Sequence, residues 1–283
     1  MEIIESLEEM GEICHRIRER GKSIGLVPTM GAFHEGHLSL MRESRRRDEM
    51  VIVSLFVNPM QFAPSEDFGK YPRDLEGDSR KGASVGVDYL FTPSPEALYR
   101  KGYSTYVQVE GLSDKLCGAS RPGHFRGVTT VVSKLFHIIV PDRAYFGQKD
   151  AQQTILINRM IADLNWNVEL VVLSTVREND GLAMSSRNAY LDDLQRKEAR
   201  VLFRSLCWAD EEVRRGEREA HKIREGMRRM ISSMPSARID YVAVVDPESL
   251  EEIRWMKGKV LIALAVWFGE ARLIDNWPMQ IHA

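Results

Sequence analysis

The sequence predicts an α/β protein: a parallel, helix-covered sheet followed by a smaller C-terminal α+β domain. Three observations lead there. Apolar, β-branched runs such as IGLVP (24–28), VIVSLFV (51–57) and VELVVLST (168–175) alternate with stretches of helical period. The runs are continuous rather than alternating in polarity, which suits strands covered on both faces. After about residue 176 the pattern changes to charged amphipathic helices and then strand-like segments, which divides the chain into domains at 1–176 and 177–283.

Each element has its own signal. Ile3, Ile4, Leu7, Met10, Ile13, Cys14 and Ile17 follow a helical period over 3–17, and Gly21 supplies a C-cap. IGLVP is a short buried strand. Residues 36–47 are helical and end on Arg42, Arg45, Arg46 and Arg47, cations that complement the C-terminal end of a helix dipole. VIVSLFV is a strand, 73–82 a helix and VDYLFT (87–92) a strand. TYVQVE (105–110) alternates and reads as a strand pairing elsewhere. Residues 124–139 are helical, AYFG (144–147) a strand and 149–164 a helix; VELVVLST is a further buried strand. Two charged amphipathic helical stretches fill 192–233. RIDYVAVVD (238–246), KVLIALAVWF (259–268) and ARLIDNW (271–277) then read as mostly antiparallel strands.

The 283 residues are 43% hydrophobic and 28% charged, ordinary for a globular protein with a sizeable core. A formal net charge of −2 gives no global pull toward nucleic acid or an anionic membrane. The acidic N-terminus MEIIESLEEM lacks a signal-peptide core, and VLIALAVWF (260–268) is too short to span a bilayer. Cys14, Cys117 and Cys207 are isolated, with no CxxC, and read as thiols of a reducing compartment, by default the cytoplasm.

Several motifs fail on inspection. GKS (21–23) lacks the glycine a phosphate-binding loop needs five residues earlier, where Arg16 stands. No GxGxxG occurs. GKSIG (21–25) and GASVG (82–86) match GxSxG but lie between a helix and a strand, the reverse of a nucleophile elbow. His34 and His37 share HxxH spacing, yet no neighbouring Cys or His completes a zinc site.

What survives is a set of polar segments at strand ends. PTMGAFHEGH (28–37) leaves a buried strand and opens a helix, whose N-terminus favours anions. Gly31 and Gly36 allow close backbone approach, and the imidazoles of His34 and His37 can stabilise charge developing on a phosphate. VNPMQF (57–62) offers Asn58 and Gln61. FGQKD (146–150) offers Lys149 and Asp150, and REND…AMSSRN (177–188) offers Ser185, Ser186 and Arg187. Ligands in open α/β sheets bind beyond the carboxyl ends of strands, so these segments are expected to converge on one crevice suited to a polyphosphate, most naturally a nucleotide.

HEGH matches the HxGH signature of the HIGH-type nucleotidyltransferase superfamily. PTMGAFHEGH, FVNPMQF, YPRD, SRPGHFRGV, YFGQKDAQQ, AMSSRN and RLIDN occur in the order seen in the pantothenate synthetase (pantoate–β-alanine ligase) family, which the chain resembles from residue 28 to about 277. The resemblance implies a Rossmann-like doubly wound sheet that binds ATP and pantoate, with 177–283 as a lid over bound ATP. It implies a cytoplasmic homodimer to which SLFV (54–57) could contribute. The reaction implied is ATP-dependent condensation of pantoate with β-alanine through a pantoyl adenylate, releasing AMP and pyrophosphate.

Carried over position by position, the resemblance makes His37 the general acid or, equally, an electrostatic stabiliser of the phosphorus centre, and His34 its partner, with Lys149, Ser185, Ser186 and Arg187 beside them. Met30, Gly31, Ala32, Phe33, His34, Glu35, Gly36 and His37 would line ATP. So would Gly147, Gln148, Lys149 and Asp150, with Val176 at adenine and Met184 to Arg187 over the triphosphate. Gln61 and Gln153 would bind pantoate, Gln61 also lying near the β-alanine position, and Asn58 would either join them at pantoate or the intermediate or hydrogen-bond Gln61, while Arg121, His124 and Arg126 fall near the site. Magnesium is implied with ATP. The family often shows two adjacent acids in the stretch of Asp74, Glu76 and Asp78. Here the pair is Gly77-Asp78, so magnesium is assigned to ATP and waters, and Asp78 is the one acid weighed as a direct contact. Two rivals remain: transfer of a nucleotidyl group to a phosphate ester, and noncatalytic nucleotide binding on the same fold.

Overall fold

The short apolar runs of the first half become strands of one sheet in the computed structural model, which describes residues 1–64 and 66–282. In chain order its elements are β1 (Glu2–Ile4), α1 (Leu7–Glu19), β2 (Ile24–Thr29), α2 (Glu35–Arg47), β3 (Met50–Leu55), α3 (Leu75–Ser84), β4 (Tyr89–Phe91), α4 (Pro95–Leu98), α5 (Cys117–Ser120), α6 (His124–Ile139), β5 (Arg143–Gly147), α7 (Ala151–Asp163) and β6 (Glu169–Leu173). The strand order is β1-β4-β3-β2-β5-β6, and every pairing is parallel. Ile24, Leu26, Val27, Val51, Ile52 and Val53 are all fully buried, so β2 and β3 form the covered centre the continuous apolar runs predict.

The chain then builds α8 (Asp193–Glu198), α9 (Val201–Arg214), α10 (Ala220–Ser232), β7 (Ala237–Val245), β8 (Gly258–Phe268) and β9 (Ala271–Ile281). These three strands form an antiparallel sheet in chain order. Its core joins Leu202, Leu206, Ile223 and Met227 of the helices to Ile262, Leu264 and Val266 of β8. Two compact units result: 1–113 with 121–147 and 156–174, and 114–120 with 148–155 and 175–283. The segment after β5 and the first turn of α7 thus belong with the second unit.

Five expectations are corrected. Residues 3–17 are not one helix: Ile3 and Ile4 lie in edge strand β1, paired with β4, and Ser6 caps α1 by accepting from Glu9 N–H. Two β-branched residues followed by an N-capping serine favour that division. TYVQVE forms no strand. Its backbone is claimed by α6: Val107 N–H donates to Thr130 Oγ1 at 3.0 Å and Thr129 Oγ1 donates to Val107 O at 2.6 Å. β6 is an edge strand, and Val172 is 40% exposed rather than buried. The stretch 192–233 holds three helices rather than two, because Asp192 and Gln195 form a separate capping box that starts α8. Of SLFV, expected as a contributor to a dimer, Ser54, Phe56 and Val57 are buried inside the first unit and Leu55 alone is half-buried.

Candidate functional site

β2 lies between β3 and β5, and the chain runs outward from it to one side through β3 and β4, then to the other through β5 and β6. The carboxyl ends of β2 and β5 therefore flank the topological switch point of the sheet, where open α/β folds bind ligands. Residues 30–37 leave β2 and residues 148–150 leave β5.

The two histidines are built into the start of α2. His34 is its N-cap, and its Nδ1 accepts from Gly36 N–H at 3.1 Å; His37 Nδ1 accepts from His34 N–H at 3.4 Å. This is a reciprocal capping box made from two imidazoles. Each ring uses Nδ1 as an acceptor, so the neutral form of each carries its proton on Nε2. The rings lie 4.2 Å apart, centroid to centroid. Gly36 is required by the ring beside it: a Cβ there would meet His34 Cε1 at 2.9 Å.

The loop before them is held by α3. Asp78 is 1% exposed; its Oδ2 accepts from Ala32 N–H at 2.7 Å and its Oδ1 from Phe33 N–H at 2.6 Å. Burial pushes its carboxyl above the ordinary range, and the two N–H bonds offset part of that rise. Lys81 Nζ donates to Phe33 O at 2.7 Å. Asp74 caps α3 by accepting from Gly77 N–H, and Glu76 pairs with Arg80. All three acids of the stretch are thus engaged by protein groups.

Asn58 is buried and fully committed. Its amide donates to Gln61 Oε1 and to Gly127 O, both at 3.1 Å, and its oxygen accepts from Met60 N–H at 3.2 Å and Tyr99 OH at 2.8 Å. Two donors and two lone pairs are filled, and the bond to Gln61 is one of the two roles expected for Asn58. Gln61 Nε2 donates to Met30 Sδ at 3.0 Å, which joins NPMQF to the histidine loop. Behind it, His124 Nδ1 donates to Gln61 O at 2.8 Å, and Arg121 bridges His124 and Glu66, gripping both carboxylate oxygens at 2.6 and 2.7 Å. Arg121 and His124 therefore brace Gln61 within the first unit. Arg126 lies over the Tyr106 ring, 4.7 Å from its centroid.

In the second unit, Gln148, Lys149 and Asp150 form a single 3-10 turn. Asn276 on β9 donates to Gln148 O at 2.8 Å and Lys149 O at 3.0 Å, and accepts from Gln148 Nε2 at 2.8 Å. Its neighbour Asp275 grips Arg177 through both oxygens at 2.6 and 3.0 Å. Arg177 in turn donates to Gly181 O, and Met184 N–H bonds to Val176 O at 3.0 Å. Ser185 caps the 3-10 turn Ser186–Tyr190 by accepting from Arg187 N–H at 3.3 Å. One strand thus braces both the Lys149 turn and the segment carrying Val176 to Arg187. Gln153 is half-buried in the first turn of α7, while its neighbour Gln152 is engaged by Cys117 N–H and Lys115 O.

Sequence reasoning gave no role to Tyr99, Glu66 or Lys81, and weighed Asp78 only for metal contact. Their contributions come from contacts 41 to 55 residues distant in sequence, or 46 and 48 for the α3 clamp, which no local pattern announces.

The family model for pantoate–β-alanine ligase matches residues 2–278. A pantothenate synthetase of Moorella thermoacetica is 54% identical over 282 residues, covering 100% of both chains. One from Pelotomaculum thermopropionicum is 55% identical over 276 residues, 98% of each. Among solved structures, the pantothenate synthetase of Thermus thermophilus superposes with a TM-score of 0.93 at 44% identity, covering 98% of this chain and 99% of that one. The pantoate–β-alanine ligase of Francisella tularensis, complexed with β,γ-ATP and β-alanine, gives 0.79 at 32% identity, over 98% and 97%.

Proposed function

The chain belongs to the pantoate–β-alanine ligase family, and from that premise we propose how its residues divide the work of the reaction. The enzyme condenses pantoate with β-alanine at the expense of ATP, through a pantoyl adenylate. A pantoate carboxylate oxygen bonds to the α-phosphorus of ATP while the bond to pyrophosphate breaks. The β-alanine amine then bonds to the acyl carbon and AMP departs with the pair of electrons, giving pantothenate.

The observation that carries the division of roles is the imidazole capping box. It holds both rings at a helix N-terminus as Nε2–H donors. Charge accumulates on the α-phosphate oxygens as phosphorus becomes five-coordinate, and preorganised donors stabilise it there. His37 acts on that charge with His34 as its partner, donating Nε2–H. Met30 to His37 contribute to the ATP site from the first unit. Gly147 and Gln148 to Asp150, Val176 and Met184 to Arg187 contribute to it, with Lys149 and Arg187 on the phosphates and the hydroxyls of Ser185 and Ser186 beside them. Gln61 and Gln153 orient pantoate, and Gln61 serves β-alanine as well. The domain 177–283 acts as a lid that shields the adenylate from water.

Magnesium enters with ATP as the counter-ion of its phosphates. Both Asp78 oxygens accept backbone N–H bonds, Asp74 caps α3 and Glu76 pairs with Arg80, which supports magnesium held chiefly by ATP and waters. No helix among the described residues is long and apolar enough to cross a membrane, and a cytoplasmic homodimer completes the proposal. Equilibrium sedimentation reads its mass.

The deciding experiment is ATP–pyrophosphate exchange. Exchange strictly dependent on pantoate, with AMP and pantothenate appearing once β-alanine is added, is the expected result. A product that retains its nucleotide would favour transfer to a phosphate ester, and ATP binding without AMP would favour a noncatalytic protein.

A further inference from the structure

Two consecutive residues ahead of the histidines adopt left-handed backbone: Gly31 at φ +89° and Ala32 at φ +54°. Glycine tolerates this freely, whereas an alanine there carries a conformational cost of about 1 kcal/mol. Such a turn presents successive backbone N–H groups to one side, a concavity that binds anions. Here the anion is internal. Asp78 takes the N–H of Ala32 on one oxygen and that of Phe33 on the other, at 2.7 and 2.6 Å. Asp78 and Lys81 stand three apart on α3, hence on one face of it, and Lys81 bonds the Phe33 carbonyl at 2.7 Å. Phe33 is 2% exposed and anchored in the core with Val27, Met41 and Leu90. The next residue is His34, the cap of α2. The loop is thus gripped at three backbone atoms immediately before the rings whose aim decides the chemistry.

We propose that Asp78 is a positioning residue for adenylation: its buried carboxylate clamps the N–H groups of Ala32 and Phe33 and so fixes the aim of His34 and His37. The inference rests on the reading that these histidines act on the α-phosphate of ATP. It assigns Asp78 a backbone-holding role in place of a metal contact. Lys81 is the second jaw of the clamp, an exposed residue whose ammonium reaches the Phe33 carbonyl.

The test uses Asp78→Asn, which keeps the volume but turns an N–H₂ toward a backbone N–H, and Lys81→Met, which removes the bond to Phe33 O and the positive charge near Asp78. Pantoate-dependent ATP–pyrophosphate exchange is measured against ATP and against free magnesium, with melting temperature as the fold control. For Asp78→Asn, kcat falls about 10- to 100-fold, the order expected when catalytic groups are displaced by a fraction of an ångström to 1 Å. KM for ATP and half-saturating magnesium stay within about threefold, a change under 1 kcal/mol. Lys81→Met shows the same pattern at smaller amplitude. A folded Asp78→Asn enzyme with undiminished kcat overturns the proposal. So does a raised magnesium requirement with kcat restored at saturating metal, the signature of a lost ligand. Should Asp78→Asn not fold, Lys81→Met decides: unchanged kcat rejects the clamp. His37→Ala separates the two levels of inference, because full exchange in that variant rejects the histidine reading itself, whereas its loss beside an active Asp78→Asn rejects only the clamp.

Discussion

The two units hold their functional segments by different means. In the first, the histidine loop is fixed by its own helix cap and by α3, whose clamping residues lie 46 and 48 residues further along the chain. In the second, the Lys149 turn and the Val176–Arg187 segment are braced from β9 by Asn276 and Asp275, across 128 and 98 residues. The first arrangement fixes two imidazole rings and the backbone just before them. The second ties two separate segments to the last strand of the antiparallel sheet. Residues 177–283 thus contribute more than the serines and arginine at their start: the RLIDN strand is the frame on which the Lys149 turn and the Val176–Arg187 segment are hung. The contrast suggests that substitutions in the histidine loop change the transition state, whereas substitutions on β9 change how ATP is held.

The largest effect falls on the loop. His37→Ala removes an Nε2–H donor and half of the capping box. The adenylation rate in single turnover is expected to drop about 10²- to 10⁴-fold, with the ATP dissociation constant changed by less than about fivefold. An equal loss in rate and binding would make His37 a phosphate anchor and erase the contrast between the units.

Next in size is Asn276→Ala. It orphans the Gln148 side chain and two carbonyls of the Lys149 turn, so it costs about 1–3 kcal/mol of stability. KM for ATP should rise about tenfold while kcat at saturating ATP falls little, a tenfold change being about 1.4 kcal/mol. Initial rates across an ATP series separate the two parameters, and a kcat loss as deep as that of His37→Ala would mean the β9 brace acts in the transition state too. Gly36→Ala is subtler. Alanine favours helix by about 1 kcal/mol over glycine, yet its Cβ would stand 2.9 Å from His34 Cε1. Exchange is therefore expected to fall about tenfold with no loss in melting temperature. A fully active variant would show that the His34 ring need not lie where the cap puts it.

How much of this was legible in the sequence follows the same division. Continuous apolar runs at 24–28 and 51–57 announced the central strands, and HEGH at a strand-to-helix junction announced the start of α2, because both signals are local. Edges misled. Ile3 and Ile4 fit a helical period by coincidence, and nothing nearby reveals that β4 lies beside them. TYVQVE alternates like a strand, but Thr129 and Thr130 take its backbone bonds. Asn58 was open to two roles in the sequence, a contact to the intermediate or a bond to Gln61, because its other partners lie far along the chain. Its four partners include Tyr99 and Gly127, 41 and 69 residues away, and they turn it into a support for Gln61. Supporting residues are hard to read for a physical reason: a ligand group must sit at a strand end, whereas a brace can come from any element that packs there.

The smallest prediction probes the first unit's remaining brace, the Glu66–Arg121 pair behind Gln61. The side chains are 19% and 15% exposed. Burial raises the Glu66 carboxyl, but the hydrogen bonds and charge of Arg121 outweigh it, so the folded value lies below the ordinary 4.5. A carboxyl depressed on folding adds stability above its unfolded pKa, and that stability is lost as pH falls through the folded value. Glu66→Gln should therefore be less stable than the parent by about 1 kcal/mol near pH 7. The gap should hold down to about pH 5 and close progressively below 4.5, where the parent loses its ion pair and the variant has none to lose. Melting curves between pH 7 and 3 measure it. A gap that stays constant to the acid end would assign the pair's contribution to packing, and the brace on Gln61 would then be steric, unlike the charge-based grip that Asp78 exerts on the neighbouring loop.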